Sequence, residues 1–330
     1  MSLAIFFQEL KNRGIKLQLG EQGSVKVIGR RDQLDQQILR ELKENKNEVA
    51  KWLAKEQMVE LKTGIALLPS LFLVHPIGGY AHCYVELATH LNYGGTVFGV
   101  QMKGDMPDTI EKMAAKYISV ITLVQPGAPY LLGGWSMGGV VAYEMARQLT
   151  AAREEVELLF MIDSFHPDMM KENSSLDHPT AHKMSLLATM ASELGITDES
   201  LGPAEKAALS QMELEDMFLL FLQLGTEQNR LPPGFGLSEL KERFAVMLNN
   251  SSAVRRYKAS PIPGEIHLVR AEENKTPDAT LGWGSLVTRV FVTEQQGNHF
   301  SIMRRPHVLE LAKKMDAAIP VTSGTTLVSS

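Results

Sequence analysis

Apolar positions near the start of the chain recur at helical spacing (Leu3, Phe6, Phe7, Leu10), and Gly14 closes that element. The period then shortens to two. Ile15, Leu17 and Leu19 alternate with Lys16 and Gln18, Gly20-Glu21-Gln22-Gly23 reads as a turn, and Val25 and Val27 alternate on the return, which predicts a hairpin. Leu34, Ile38, Leu39 and Leu42 restore the helical stripe, Asn45 and Asn47 break it, and Val49, Trp52 and Leu53 begin another. Residues 1–57 are therefore expected to form a small α+β unit of helix, hairpin and two helices, followed by a linker over 58–69.

Beyond residue 70 short apolar runs alternate with longer helical patterns. Ser70–Val74, Thr96–Gln101, Pro129–Gly134, Glu157–Ile162, Glu265–Val269 and Val290–Thr293 read as strands. Tyr117–Val124, Val140–Thr150 and Val308–Ala318 read as helices. That alternation predicts an α/β unit over 70–320 with a mostly parallel sheet covered on both faces. Residues from about 170 to 260 are helical without a clear strand and read as an inserted lid. Met169, Met170, Met184, Met190, Met212 and Met217 within it would either line an adaptable apolar channel or fill the lid's own core. The small polar residues of 321–330 read as a disordered tail.

Charge sharpens the division. Residues 1–57 hold 11 Lys/Arg against 8 Asp/Glu, whereas the whole chain carries a net charge of −5. An acidic balance weighs against nucleic acid as the main partner. No apolar run approaches the ~18 residues needed to cross a bilayer, and the first residues lack the basic region of a secretory signal. One cysteine, Cys83, excludes an intramolecular disulfide and a cysteine-based zinc site. A cytoplasmic protein is expected.

The sharpest local signal is Gly134-Trp135-Ser136-Met137-Gly138, with an apolar run before it and an amphipathic helix after it. That context fits a nucleophile elbow, a tight strand-to-helix turn that projects a serine at the edge of a sheet. Such a serine needs a base. Among nine histidines, His299 follows the last strand, and the chain order Ser…Asp…His suits an α/β-hydrolase. His75 follows the first strand of this unit and is assigned to loop structure. His178 and His182 stand four apart but Pro179 lies between them with no third ligand near, so they read as a helix start and no metal site is expected. Two residues compete for the acid. Asp163 stands at the abrupt apolar-to-polar end of its strand and is preferred; Asp278, in a charged loop after a later strand, is the alternative. An oxyanion site requires two converging N–H groups. Met137, next to the nucleophile, supplies one, and Ile77 in His75-Pro76-Ile77-Gly78-Gly79 supplies the other.

With these residues in place, the second unit resembles the thioesterase domains of polyketide and nonribosomal peptide synthases. The resemblance rests on His75–Gly79, Gly134–Gly139, Ile162-Asp163-Ser164, Leu281-Gly282-Trp283 and Gly297-Asn298-His299-Phe300, and spans about residues 68–318. It implies an α/β-hydrolase with Ser136 as nucleophile, Asp163 as acid, His299 as base, and Ile77 and Met137 as oxyanion donors. In the integrated, chain-terminating branch of that family the acid follows the strand after the nucleophile helix, as Asp163 does. In the free-standing proofreading branch it comes one strand later, near Asp278. Asn298 departs from the family pattern, where many members carry Asp. The first unit is similar to the N-terminal docking domains of mixed peptide/polyketide synthase subunits, through Leu10-Lys11-Asn12-Arg13-Gly14-Ile15-Lys16-Leu17. That similarity implies capture of a C-terminal peptide of an upstream subunit, and the net positive charge of residues 1–57, with Lys16 and Lys26 on the hairpin and Arg30 and Arg31 at its exit, leads us to expect that tail to be acidic.

The expected function is release of an acyl, peptidyl or polyketide chain from a carrier protein. The substrate arrives as a phosphopantetheine thioester on that partner, no cofactor of the chain's own is expected, and release occurs by hydrolysis or macrocyclisation. The alternatives are a proofreading thioesterase, a serine esterase acting on free esters, and a docking or scaffold protein without activity.

Overall fold

The computed structural model describes residues 3–20, 23–29, 31–171, 179–194, 212–231 and 234–320. The expected tail 321–330, Arg30 and His178 lie outside the described residues. In the first unit α1 (Leu3–Asn12) leads into a hairpin of β1 (Ile15–Leu19) and β2 (Val25–Gly29), followed by α2 (Gln36–Glu44) and α3 (Lys46–Lys55). The hairpin is antiparallel, with Leu17 opposite Val27. Asp35 caps α2 by accepting from Ile38 N–H at 2.8 Å and pairs with Arg13 at 2.6 Å, tying the helix start to the end of α1. Phe7 stacks on Trp52 with ring centroids 3.8 Å apart, closing α1 onto α3. The buried residues of this unit, among them Phe6, Leu10, Ile38 and Val49, join the same hydrophobic cluster as Met113, Tyr117 and Val120 of the second unit.

The expected linker is corrected in part. Met58–Lys62 is a strand, β3, at one edge of the main sheet. It pairs antiparallel with β5 (Val97–Val100), with a register shift between Glu60 and Lys62. Lys62 Nζ donates to the carbonyls of Leu91 at 2.5 Å and Tyr93 at 2.9 Å, and only one of the strand's five residues is fully buried. A half-exposed edge strand lacks both the continuous apolar run and the clean alternation that mark a strand in sequence.

The remaining strands are β4 (Leu71–Val74), β6 (Tyr130–Trp135), β7 (Val156–Ile162), β8 (Glu265–Ala271) and β9 (Arg289–Gln295). They build a seven-stranded sheet in the order β3-β5-β4-β6-β7-β8-β9, parallel throughout except at β3. Its central strands β4, β5 and β6 are buried at every residue, as a sheet covered on both faces requires. One face carries α5 (Ile110–Val124) and α6 (Met137–Ala151). The other carries the short α4 (Val85–His90) and the closing helix, here α11 (His307–Ala318). This is an α/β-hydrolase architecture.

The inserted segment holds α7 (Pro167–Lys171), α8 (Pro179–Glu193), α9 (Leu214–Glu227) and α10 (Leu237–Arg256). It has its own core, in which Met190 and Met217 are buried, with Met184 and Met212 packed against them. Those four methionines therefore belong to the core of the inserted segment. Among the described residues no helix is long and apolar enough to cross a membrane.

Candidate active site

The parallel ladders align Val74 with Gly134 and Trp135 with Ile162. The loop after β4, the elbow after β6 and the turn after β7 therefore open at one edge of the sheet. Ser136 adopts φ 58° and ψ −127°, a conformation that a non-glycine residue takes only where its surroundings enforce it. Its N–H donates to Ile162 O at 2.9 Å. The enforcement is close packing without side chains. A Cβ on Gly134 would lie 2.2 Å from the carbonyl carbon of Gly138, and one on Gly138 would lie 2.2 Å from Val74 O. Either would push the elbow out of the sheet edge.

Three side chains meet there. His299 Nε2 lies 3.0 Å from Ser136 Oγ, and His299 Nδ1 lies 2.7 Å from Asp163 Oδ2. Asp163 is 1% exposed and has φ 42°. Its other oxygen, Oδ1, accepts from Ala271 N–H at 3.0 Å and Asn274 Nδ2 at 3.4 Å, so both carboxylate oxygens have donors. The carboxylate accepts at Nδ1, which assigns the proton to that nitrogen and leaves the Nε2 lone pair facing Ser136. Trp135 holds the far side of His299: its Nε1 donates to the His299 carbonyl at 3.0 Å, and the two rings lie 5.2 Å apart.

Asp278 is elsewhere engaged. It accepts from Thr280 N–H and Gly282 N–H, both at 2.8 Å, and from Thr280 Oγ1 at 2.7 Å, as a turn cap would. Burial would raise its pKa, but these hydrogen bonds outweigh it and hold the carboxyl below its usual range.

His75 is wholly buried. Its Nδ1 donates to Pro76 O at 2.6 Å, and its Nε2 accepts from Tyr117 OH at 2.5 Å. Burial lowers its pKa to about 4, against the opposing effect of the Pro76 bond and with help from Lys116. It is a neutral structural histidine, in keeping with the loop role expected of it. His182 contacts Ser251 Oγ through Nε2 at 3.2 Å, packing α8 on α10. Among the described residues no cluster of three or more metal-ligating side chains occurs.

Two residues at the site carried no sequence signal. Tyr84 is fully buried; its hydroxyl accepts from Trp135 N–H at 2.7 Å and donates to Val74 O at 2.6 Å, bridging β4 and β6 where their ladder ends. Asn274, behind Asp163, is the other. Each works through one or two hydrogen bonds to groups outside its own element, which leave no periodic pattern.

On the hairpin, Lys16 and Lys26 are exposed; the Arg31 side chain lies outside the described residues. A cleft of about 710 Å³ separates the hairpin from α5, lined by Leu19, Lys26, Lys112 and Lys116 but by none of Ser136, Asp163 or His299.

The model of the thioesterase domain family matches residues 69–318, most of the chain and six of the seven strands of the main sheet. The chain belongs to the thioesterase domain family. Over 102 residues it is 45% identical to a dimodular nonribosomal peptide synthase of Bacillus subtilis, covering 29% of this chain and 4% of that protein. Over 268 residues it is 28% identical to the non-reducing polyketide synthase crz7 of Cladonia metacorallifera, covering 76% of this chain and 12% of that one. This thioesterase thus spans 4% and 12% of the length of those two relatives. Among solved structures, a four-domain nonribosomal peptide synthetase, holo-AB3403 bound to AMP and glycine, superposes with a TM-score of 0.71 at 33% identity, covering 81% of this chain and 20% of that one. The Vlm2 thioesterase domain shares the fold, with a TM-score of 0.58 at 23% identity over 80% of this chain and 98% of that one.

Proposed function

We propose that this thioesterase releases an acyl, peptidyl or polyketide chain from the phosphopantetheine thioester of a carrier protein, through an acyl-enzyme on Ser136. The observation that carries the proposal is the contact series Ser136–His299–Asp163, at 3.0 and 2.7 Å, in a chain of this family. His299 Nε2 takes the Ser136 proton as Oγ attacks the thioester carbonyl, and Asp163 holds the imidazolium that results. The oxyanion forms against Ile77 and Met137 N–H. The C–S bond then breaks and His299 returns its proton to the departing thiolate. Water, or a nucleophile within the acyl chain, next attacks the ester and frees an acid or a ring. The satisfied, local hydrogen bonds of Asp278 favour Asp163 as the acid, and with it the chain-terminating over the proofreading branch.

The first unit is proposed to dock the acidic C-terminal tail of an upstream synthase subunit. What supports this is a two-stranded hairpin that no third strand joins among the described residues, with Lys16 and Lys26 exposed on it. A tail adding as a strand would take its register from main-chain pairing and its salt dependence from the lysines.

The test is intact mass of the chain after incubation with a range of acyl-loaded carrier proteins. A mass gain equal to the acyl group, absent in Ser136→Ala and blocked by a serine-reactive fluorophosphonate, is the expected result. Turnover of Ser136→Ala near the wild-type rate would eliminate the proposal. Calorimetry with acidic peptides tests the docking: weak binding that fades with salt is expected, and no binding to any acidic tail would refute it.

A further inference from the structure

Ile77 lies between two peptide planes, and each is held through its carbonyl. The preceding plane carries Pro76 C=O and Ile77 N–H. That carbonyl accepts from Gly79 N–H at 3.0 Å and from His75 Nδ1 at 2.6 Å. A trans peptide keeps C=O and N–H antiparallel, so pinning the one aims the other. The following plane carries Ile77 C=O, which accepts from Asn250 Nδ2 at 2.8 Å. Asn250 is fully buried and lies 173 residues away, on α10. Its Oδ1 is 3.4 Å from Asn249 Nδ2, so the carboxamide is engaged at both ends.

The same face of α10 grips the rest of the loop. Val246 and Arg243 precede Asn250 by four and seven positions, a spacing that stacks side chains along one side of a helix. A Cβ on Gly79 would lie 2.7 Å from Val246 Cγ1. The Arg243 guanidinium sits 5.0 Å from the Tyr80 ring centroid and pairs with Glu193 of α8 at 2.8 Å. Glu193 in turn abuts Gly78, where a Cβ would lie 2.3 Å from its Oε2. Meanwhile α10 runs unbroken between two cores: Leu240, Phe244 and Met247 pack in the lid, whereas Ala253 and Val254 pack in the body.

We infer that Asn250 is a positioning residue for the oxyanion site, and that α10 makes the geometry of that site depend on the position of the lid. A lid displacement that carries α10 with it withdraws Asn250 from Ile77 and releases Gly78 to Tyr80 at the same time. The loop then loses the contact that sets its second peptide plane, and an N–H aimed by that loop no longer meets the oxyanion squarely. Acylation is thereby tied to the lid position in which α10 holds Ile77. The inference rests on the proposal that Ile77 N–H is an oxyanion donor.

The test compares wild type with Asn250→Asp, using a small soluble acyl thioester for kcat and KM, and fluorophosphonate labelling of Ser136 as a second measure of attack. At pH 8 the introduced carboxylate faces a carbonyl and has no proton to donate. Losing a whole oxyanion donor costs about 10²–10³ in kcat, so misaiming one is expected to cost about ten- to a hundredfold, with KM nearly unchanged. As pH falls the carboxyl takes up a proton and can donate again, so the ratio of variant to wild-type rate is expected to rise. A purely structural role for Asn250 would move the melting temperature but not that ratio. Equal rates at pH 8, or a ratio flat with pH, would overturn the inference. Should Asn250→Asp fail to fold, Val246→Ala loosens the same helix face without adding charge. A smaller fall in kcat and labelling rate is then expected, and unchanged rates refute the coupling. If the wild type itself is neither labelled nor active, the proposed function fails and this inference with it. A wild type labelled no faster than Asn250→Asp removes the inference alone.

Discussion

Acidification should destabilise this fold through His75 in a pH window set by its burial. The imidazole is wholly buried between Pro76 O and Tyr117 OH, and burial lowers its pKa from 6.5 to about 4. A hydrogen-bond partner for the charged form exists, since the Tyr117 oxygen can accept if its own proton turns towards Met102 Sδ, 3.8 Å away. What the site lacks is solvation for the charge, and Lys116 adds repulsion. Above pH 6.5 neither folded nor unfolded chain holds the proton, and the contribution is fully present. Below it the unfolded chain binds a proton that the folded chain refuses until about pH 4, so stability falls with pH across that interval. At pH 5 the unfolded state is almost fully protonated at this position and the native state scarcely so, which amounts to about 2 kcal/mol lost relative to pH 7.5, rising to about 3 kcal/mol by pH 4.

The assay is urea denaturation at pH 7.5 and pH 5 for wild type and His75→Asn. The variant is expected to be less stable at both pH values, because the Tyr117 and Pro76 groups lose a matched partner. Its pH dependence is the measured quantity. Burial also lowers His182 and His267, and both remain in the variant, so the difference between the two slopes isolates His75. Wild type should lose about 2 kcal/mol more than His75→Asn between the two pH values. Equal losses would refute the reasoning, because they would mean that the buried imidazole titrates alike in both states.

Asp163→Asn is expected to lower kcat by a factor on the order of 10⁴, as the amide favours the wrong His299 tautomer. Asp278→Asn should leave kcat within about twofold and cost about 1 kcal/mol of stability through its turn hydrogen bonds; steady-state kinetics and urea melts of the pair decide, and the reverse ranking would move the acid to the later strand. Gly138→Ala drives a Cβ to 2.2 Å from Val74 O and 2.9 Å from His75 O, both backbone atoms. It should cost about 3 kcal/mol or more and slow fluorophosphonate labelling as the elbow shifts; wild-type stability with wild-type labelling would show that the elbow can relax.

The parts of the fold legible in sequence are those where one physical demand dominates. β4, β6 and β7 are buried on both faces, so Leu71–Val74, Tyr130–Trp135 and most of Val156–Ile162 are nearly continuous apolar runs. α5 was expected from Tyr117 but begins at Ile110, capped by Thr109. Glu111, Lys112 and Lys116 occupy its outer side and dilute the stripe that Met113 and Ala114 extend. The six residues of α4 are too few for a period to register. At the site, Ser136 and His299 stand in short motifs because a tight elbow and a strand-end loop impose glycines nearby. Asp163 is preferred over Asp278 on a local signal, the abrupt apolar-to-polar end of its strand. Both follow strands; Asp163 stands directly at the end of β7, with its N–H on Val269 O of β8 and its Oδ2 2.7 Å from His299 Nδ1. Asn250 was invisible because its demand is one hydrogen bond to a residue 173 positions away.

The chain divides by charge and period near residue 57, but the packing does not divide there. β3 begins at Met58 and forms the outer strand of the hydrolase sheet, so a cut between the units falls one residue from that strand. Upstream of it, Val49, Leu53 and Ala54 of α3 share a core with Tyr117, Val120 and Ile121 of α5, the helix that also packs on α6 behind the Ser136 elbow. Polar contacts reinforce the seam: Lys103 Nζ pairs with Glu56 at 2.7 Å. Even the hairpin turn meets α5, where a Cβ on Gly23 would lie 3.6 Å from Leu123 Cδ2. An element carried on a flexible linker would show none of these, because its contacts with the body would have to be transient. A tail bound along the hairpin would therefore be held at a fixed place relative to Ser136 by the side chains that bury α5. On the docking proposal, the first unit would then orient its partner towards Ser136, beyond raising its local concentration.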